Sequence, residues 1–146
     1  MFEKLLVPVD GSAHANRAVD TAVTLAKCHG SSVLLLHAIR DLSLPKEILE
    51  MIAAGEITAG RLQILQDSAE IILSNAMQKF RQAGLSDVKK EYVTGDPASK
   101  ILEYAERNGV DLIVLGHRGL EPHSGLLGGV ARKVVNATTI ACLIVT

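Results

Sequence analysis

The feature that most constrains the fold is an unbroken apolar run, Asp111-Leu-Ile-Val-Leu-Gly116, with turn residues on both sides. Such a run is typical of a parallel strand that is buried on both faces. Small-residue turns and a new helical pattern follow it, through Val130, Val134 and Val135. In an open parallel sheet, ligands bind outside the carboxyl ends of the strands, so this segment predicts a binding site.

Strand and helix patterns alternate along the whole chain, which predicts an α/β fold with a doubly wound sheet. The charged residues in the third strand pattern indicate an edge strand. No linker, repeat or low-complexity tract divides the 146 residues, so we expect one domain, residues 1–146. The predicted strands are Leu5–Val9, Ser32–Ala38, Val88–Val93, Asp111–Gly116 and Ile140–Val145.

Helix boundaries are marked by familiar start and stop residues. Gly30 is suited to follow the first helix, which repeats apolar residues from Ala15 to Ala26. Asp96-Pro97 is a strong helix start, and Asn108-Gly109 is expected to end that helix. A short helical piece is expected to begin at Pro45. A long amphipathic helix that stops at Gly84 carries the apolar stripe Leu62, Leu65, Ala69, Ile72, Ala76 and Phe80.

Composition and charge exclude several partner classes. Lys+Arg 15 against Asp+Glu 16 leaves no basic field for nucleic acid, and the 3% aromatic content without Trp removes base-stacking platforms. No apolar run reaches the roughly 20 residues of a membrane helix, and no signal-peptide pattern precedes the first strand. Cys28 and Cys142 stand far apart and are expected to be buried thiols of a reducing compartment. A cytoplasmic location is therefore the expectation.

Four glycines follow the buried run, at Gly116, Gly119, Gly128 and Gly129. Glycine lets backbone N–H groups approach a phosphate closely, and the next helix offers its positive end. These residues suggest a nucleotide site, although a role as turn residues alone explains them about equally well.

Four segments together resemble the universal stress protein family over nearly the whole chain. They are Leu6-Val-Pro-Val-Asp-Gly-Ser12, Leu35-Leu-His-Ala38, Gly95-Asp-Pro97 with Ile101, and Asp111-Leu-Ile-Val-Leu-Gly-His-Arg-Gly119 with Leu126-Leu-Gly-Gly-Val130. The resemblance implies a five-stranded parallel sheet in the order 3-2-1-4-5 with helices on both faces, and a homodimer, expected through the last strand Ile140–Val145. It also implies adenine-nucleotide binding between the ends of strands one and four, which is the switch point that the sheet rule selects.

The resemblance also implies roles for individual residues. Pro8, Val9 and Asp10 match the adenosine side, and Ala38 matches a backbone contact to adenine. Gly116 and Gly119 match the first two glycines of the family's phosphate motif. The full set of expected nucleotide-binding residues is Pro8, Val9, Asp10, Ala38, Gly116, His117, Arg118, Gly119, Gly128, Gly129 and Val130, with ATP or AMP as ligand and Mg²⁺ where a triphosphate is held.

The phosphate motif departs from the family pattern, in which nine residues separate the second glycine from a third that is followed by Ser or Thr. Nine residues after Gly119 stands Gly129, followed by Val130; the alternative alignment uses Gly128, followed by Gly129. Either way the phosphate-facing hydroxyl is absent, at a cost of roughly ten- to a hundredfold in affinity. Ser124 or His123, in the insert Pro122–Gly125, offers a substitute donor.

Simpler roles compete with the functional ones. Asp10 is suited to accept hydrogen bonds from ribose hydroxyls. Taken alone it is better explained as a cap of the first helix together with Ser12, and the family resemblance reverses that order. His37 on a buried strand is expected to be a core histidine. Arg118 and the pair Arg132-Lys133 are candidates to help hold an anionic ligand, although solvated surface charge accounts better for the pair. No set of nucleophile, base and orienting residue is visible, and the histidines make a poor metal site, so no catalytic and no metal-binding residue is assigned.

Three functional hypotheses remain open from the sequence. The first is a homodimeric stress-response module that binds an adenine nucleotide without efficient catalysis. The second is a nucleotide-independent interaction protein of the same fold. The third is a slow ATPase. The missing hydroxyl separates the first two only weakly, and measured binding of ATP, AMP and cyclic AMP would separate them best.

Overall fold

The computed structural model describes residues 1–40, 50, 53–55, 60–119 and 126–146. The short helical piece predicted from Pro45 and the insert Pro122–Gly125 lie outside the described residues.

Five parallel strands form one sheet in the order β3-β2-β1-β4-β5, as expected. Each predicted strand is confirmed with its ends shifted by at most one residue. The registers align Leu6 of β1 with Leu34 of β2 on one side and with Ile113 of β4 on the other. Strands β3 and β5 are the two edges. The strands are β1 Lys4–Pro8, β2 Ser32–Ile39, β3 Val88–Thr94, β4 Leu112–Gly116 and β5 Ala141–Val145.

Four helices in the described part of the chain connect these strands. Ser12 caps the first, its hydroxyl accepting from the Ala15 N–H at 3.2 Å, and Gly30 ends it in the left-handed conformation with φ 66°. Asp96 caps the third in the same way, with Pro97 as its first residue. They are α1 Ala13–His29, α2 Gly60–Gln82, α3 Pro97–Arg107 and α4 Gly129–Ala137.

The core has two layers because alternate strand residues face opposite sides of the sheet. Leu5 and Val7 of β1 face α1 and α2, where Phe80 is fully buried. Leu6, between them, faces α3 and α4 instead, where Ile101 and Val134 pack. The helices on both faces hold the strand ends in place, and those ends carry the candidate site described below.

Two burial predictions are wrong. Cys28 is exposed, because it lies two residues beyond Ala26, and two residues turn a helix by about 200° away from the buried face. Leu62 is 46% exposed although it belongs to the apolar stripe of α2. Ala69, Ala76 and Phe80 of that stripe are buried, whereas Leu65 and Ile72 are partly buried and border a cleft. Cys142 is half-buried, and burial raises the pKa of its thiol.

None of the helices in the described residues is long and apolar enough to cross a membrane.

Candidate functional site

A cleft of about 600 Å³ opens at the carboxyl ends of the strands. Its volume lies within the range of small-molecule sites, roughly 300–1,000 Å³. It sits at the switch point, where β1 is flanked by β2 on one side and β4 on the other. All the residues predicted to bind nucleotide line it: Pro8, Val9, Asp10, Ala38, Gly116, His117, Arg118, Gly119, Gly128, Gly129 and Val130.

The turn after β1 presents a carboxylate to the cleft. Oδ1 of Asp10 accepts a hydrogen bond from the Ser12 N–H at 2.9 Å, which closes the turn. Ser12, rather than Asp10, caps α1. The other oxygen, Oδ2, points towards Gly119: a Cβ atom built on that glycine would lie 2.8 Å from it. Asp10 therefore has one oxygen engaged in the fold and one directed at the loop after β4.

The end of β2 forms the neighbouring wall. The Val9 N–H donates to the carbonyl oxygen of Leu36 at 2.9 Å, and Nδ1 of His37 donates to the carbonyl oxygen of Val9 at 2.7 Å. His37 is hydrogen-bonded, as predicted, but it is only half-buried and lines the cleft. These bonds fix the backbone at Ala38, which lines the cleft next to His37.

The loop after β4 is packed tightly at its beginning. A Cβ on Gly116 would lie 2.8 Å from the backbone nitrogen of Ala15, so only glycine lets β4 end against α1. The His117 N–H donates to the Val145 carbonyl oxygen at 2.7 Å, and the Gly128 N–H donates to the His117 carbonyl oxygen at 2.8 Å. The two ends of the loop are thus held together by backbone bonds.

The start of α4 faces the cleft with exposed backbone. Gly128 occupies the cap position with no side-chain capping bond, and a Cβ there would lie 3.2 Å from the Cα of Arg118. A Cβ on Gly129 would meet nothing within 4 Å. The first N–H groups of a helix lack partners within it and carry partial positive charge. The start of α4 is therefore suited to hold an anion.

Charged side chains outside the predicted set of nucleotide-binding residues also border the cleft. Asp96 and Lys133 lie on the wall formed by α3 and α4, and Arg40 follows β2. Hydrogen bonds from the Ser99 N–H and hydroxyl hold the pKa of Asp96 below its usual value, and the positive charges of Lys133 and Arg40 act in the same direction. Lys133 was expected to be solvated surface charge; its place four residues after Gly129 was the signal that it shares that face of α4.

Leu65, Ser68 and Ile72 of α2 form the opposite wall. Leu65 and Ile72 belong to the predicted apolar stripe, so the sequence assigned them to the core and gave no sign that they border a cavity. Helical periodicity alone does not distinguish these two surroundings.

His14 packs behind the loop, with its ring 6.0 Å from that of His117. Burial lowers the pKa of His14, and the positive charges of Arg17 and Arg118 lower it further. These neighbours favour neutral imidazole. Among the described residues, no group of three or more His, Cys, Asp and Glu side chains is arranged to hold a metal ion.

The chain resembles known proteins over its full length. The model of the universal stress protein family matches residues 1–146. Universal stress protein YxiE of Bacillus subtilis is 36% identical, with 99% of each chain covered. The solved structure of MJ0577, from Methanocaldococcus jannaschii, superposes with a TM-score of 0.82 at 27% identity, covering 99% of this chain and 96% of that one. A universal stress protein solved in complex with cAMP has a TM-score of 0.70 at 27% identity, covering 99% and 96%.

Proposed function

The chain belongs to the universal stress protein family, and we propose that it acts as an adenine-nucleotide-binding module of a stress response. The observation that carries the proposal is the cleft at the switch point, where a carboxylate oxygen of Asp10, the backbone of several glycines and the positive end of α4 converge. A related structure with 27% identity holds cAMP, which supports an adenine nucleotide as ligand.

Each part of the cleft suits one part of a nucleotide. Pro8, Val9 and Ala38 offer apolar surface and backbone for adenine, and Oδ2 of Asp10 is placed to accept from ribose hydroxyls. The N–H groups at Gly119 and the start of α4 suit phosphate oxygens. We assign Asp10 as the acceptor for ribose hydroxyls, because Ser12 already caps α1.

The packing of the two late glycines favours one alignment of the phosphate motif. Gly128 is closely packed, as expected of a motif glycine, whereas Gly129 has open space around it, as expected of the neighbouring hydroxyl position. On this alignment, Gly129 stands where the family pattern has Ser or Thr. The proposed ligand is ATP or AMP. Any Mg²⁺ is held chiefly by the oxygens of a bound triphosphate.

Calorimetric titration of the purified protein with ATP, AMP and cyclic AMP tests the proposal. We expect saturable heat and a rise in melting temperature with at least one of them. No heat and no thermal shift at millimolar nucleotide would favour the nucleotide-independent interaction protein. Release of phosphate from ATP would favour the slow ATPase.

Asp10→Asn is the sharpest variant for this site. Asparagine keeps an oxygen that can accept from the Ser12 N–H, so the turn and the melting temperature should be retained. Loss of the charged acceptor should weaken nucleotide binding by about 1–2 kcal/mol. A lower melting temperature with unchanged affinity would show instead that Asp10 serves only the turn.

We further propose a homodimer formed through β5, in a cytoplasmic protein. Ala141–Val145 forms one edge of the sheet and presents half-buried apolar residues. An edge strand with unpaired backbone groups is a ready surface for a second copy. Sedimentation equilibrium should give twice the chain mass, and a monomer at all concentrations would contradict the dimer.

A further inference from the structure

The open space at Gly129 leaves the start of α4 without a side chain for phosphate. Gly128 before it has no side chain either, and Val130 after it packs partly into the core. Backbone N–H groups orient an anion but contribute no full charge. A cation elsewhere on the cleft wall would add the full charge that these backbone groups lack.

Lys133 is placed to supply that charge. It follows Gly129 by four residues, so the two residues lie on the same face of α4, about 6 Å apart along the helix axis. Side chains on a helix lean towards its N-terminus, which directs the lysine stem towards the space that Gly129 leaves open. Lys133 lines the cleft. Within the described residues, no carboxylate lies at ion-pair distance from its ammonium group.

The neighbouring Arg132 differs in each of these respects. It carries the same charge on the same helix, but it is absent from the cleft lining. Its guanidinium donates to the carbonyl oxygen of Leu127 at 3.3 Å. The two adjacent cations therefore differ in place: Arg132 bonds to a backbone carbonyl of a residue outside the cleft lining, and Lys133 faces the cleft.

Asp96 supplies the opposing charge on the same wall. Its Oδ2 is engaged by the Ser99 N–H and hydroxyl, at 3.0 and 2.9 Å. Asp96 is close enough to attract Lys133 electrostatically. The two side chains form no ion pair that a ligand would have to break. The ammonium group remains available to a ligand.

We propose that Lys133 binds the nucleotide phosphate in this chain, in place of the hydroxyl that is missing at Gly129. The inference rests on the proposed function and assigns the phosphate contact to a side chain that the motif does not contain. A phosphate contact from Lys133 makes the site selective for phosphorylated nucleotides. Adenosine has no phosphate and cannot use the contact.

The test compares Lys133→Gln with Arg132→Gln, using adenosine, AMP and ATP in calorimetric titrations of the full chain. Lys133→Gln should weaken ATP by roughly tenfold, as expected for one lost charged hydrogen bond, and AMP by a smaller factor, because the contact replaces a hydroxyl that reaches the distal phosphates; adenosine should be unchanged. Arg132→Gln removes the same charge one residue away and should change all three ligands by less than about twofold. Lys133→Arg should retain most of the affinity for AMP and ATP.

Asp96→Asn provides a change of opposite sign. Asparagine caps a helix as well as aspartate does, so α3 should stay intact. Removing the negative charge should tighten AMP and ATP by about two- to fivefold, and by clearly less in the Lys133→Gln background, where only the direct repulsion between Asp96 and phosphate is relieved.

Three results would overturn the inference. Equal loss of adenosine, AMP and ATP in Lys133→Gln would mean that the lysine shapes the cleft instead of contacting phosphate. Wild-type affinities in Lys133→Gln would remove the contact while leaving the proposed function standing. A wild-type chain that binds none of the three ligands would remove both the inference and the proposed function.

Discussion

The loop between β4 and α4 has a glycine at each end, and the two glycines have opposite surroundings. At Gly116, a Cβ atom would lie 2.8 Å from both the backbone nitrogen of Ala15 and the carbonyl carbon of His14. At Gly129, a Cβ atom would meet nothing within 4 Å, and the backbone is helical rather than left-handed. The fold requires the first glycine and merely tolerates the second.

This difference separates a position that fixes the shape of the cleft from a position where the side chain can change without altering that shape. Backbone atoms of α1 cannot move aside, so the end of β4 stays fixed wherever α1 packs on the sheet. The start of α4 is free to accept or lose a side chain without disturbing its neighbours. A chain can therefore give up the motif hydroxyl there and keep the shape of the site.

The largest expected effect is that of Gly116→Ala on stability. The added methyl group overlaps backbone, and overpacking of this kind costs about 2–3 kcal/mol, equivalent to a fall of about 5–10 °C in melting temperature. Gly119→Ala is the matched control, because its Cβ meets the movable Oδ2 of Asp10, and it should cost less than about 1 kcal/mol. Urea denaturation measures both. A Gly116→Ala protein as stable as the wild type would abolish the distinction between the two glycines.

Much of the fold could be predicted because strand residues are selected by burial on both faces. The last strand was placed at Ile140–Val145 and is observed at Ala141–Val145, after a turn in which the Ile140 N–H donates to the Thr138 hydroxyl. The caps at Ser12 and Asp96 depend on local hydrogen bonding, so they too can be predicted from the sequence. The strand order came from the family resemblance, since no local pattern encodes it.

The features that could not be predicted from the sequence depend on contacts between distant elements. Lys133 differs from any solvated lysine only because the start of α3 and the end of β2 border the same cleft as α4. Residue type alone predicts a buried Cys28, although its place on α1 turns it to solvent. The close packing of Gly116 arises from α1, about a hundred residues earlier in the chain. Spacing within a motif shows none of these relations.

The smallest expected effect, and the one that sharpens the comparison most, comes from adding a hydroxyl at the free end of the loop. Gly129→Ser should change stability by less than about 0.5 kcal/mol, because the added side chain meets open space. It should tighten ATP by about fivefold and AMP by less, since the new donor reaches the distal phosphates. Val130→Ser should do less, because Val130 packs against the core and its loss also costs stability.

Calorimetry with ATP and AMP on both variants decides which alignment of the motif describes this loop. Equal tightening of ATP and AMP by Gly129→Ser would put the hydroxyl away from the terminal phosphates and contradict the alignment through Gly128. A gain confined to Val130→Ser would favour the count of nine residues from Gly119 to Gly129 instead. No gain from either variant would mean that this chain no longer binds a triphosphate. Its ligand would then carry only the phosphate that lies nearest α4.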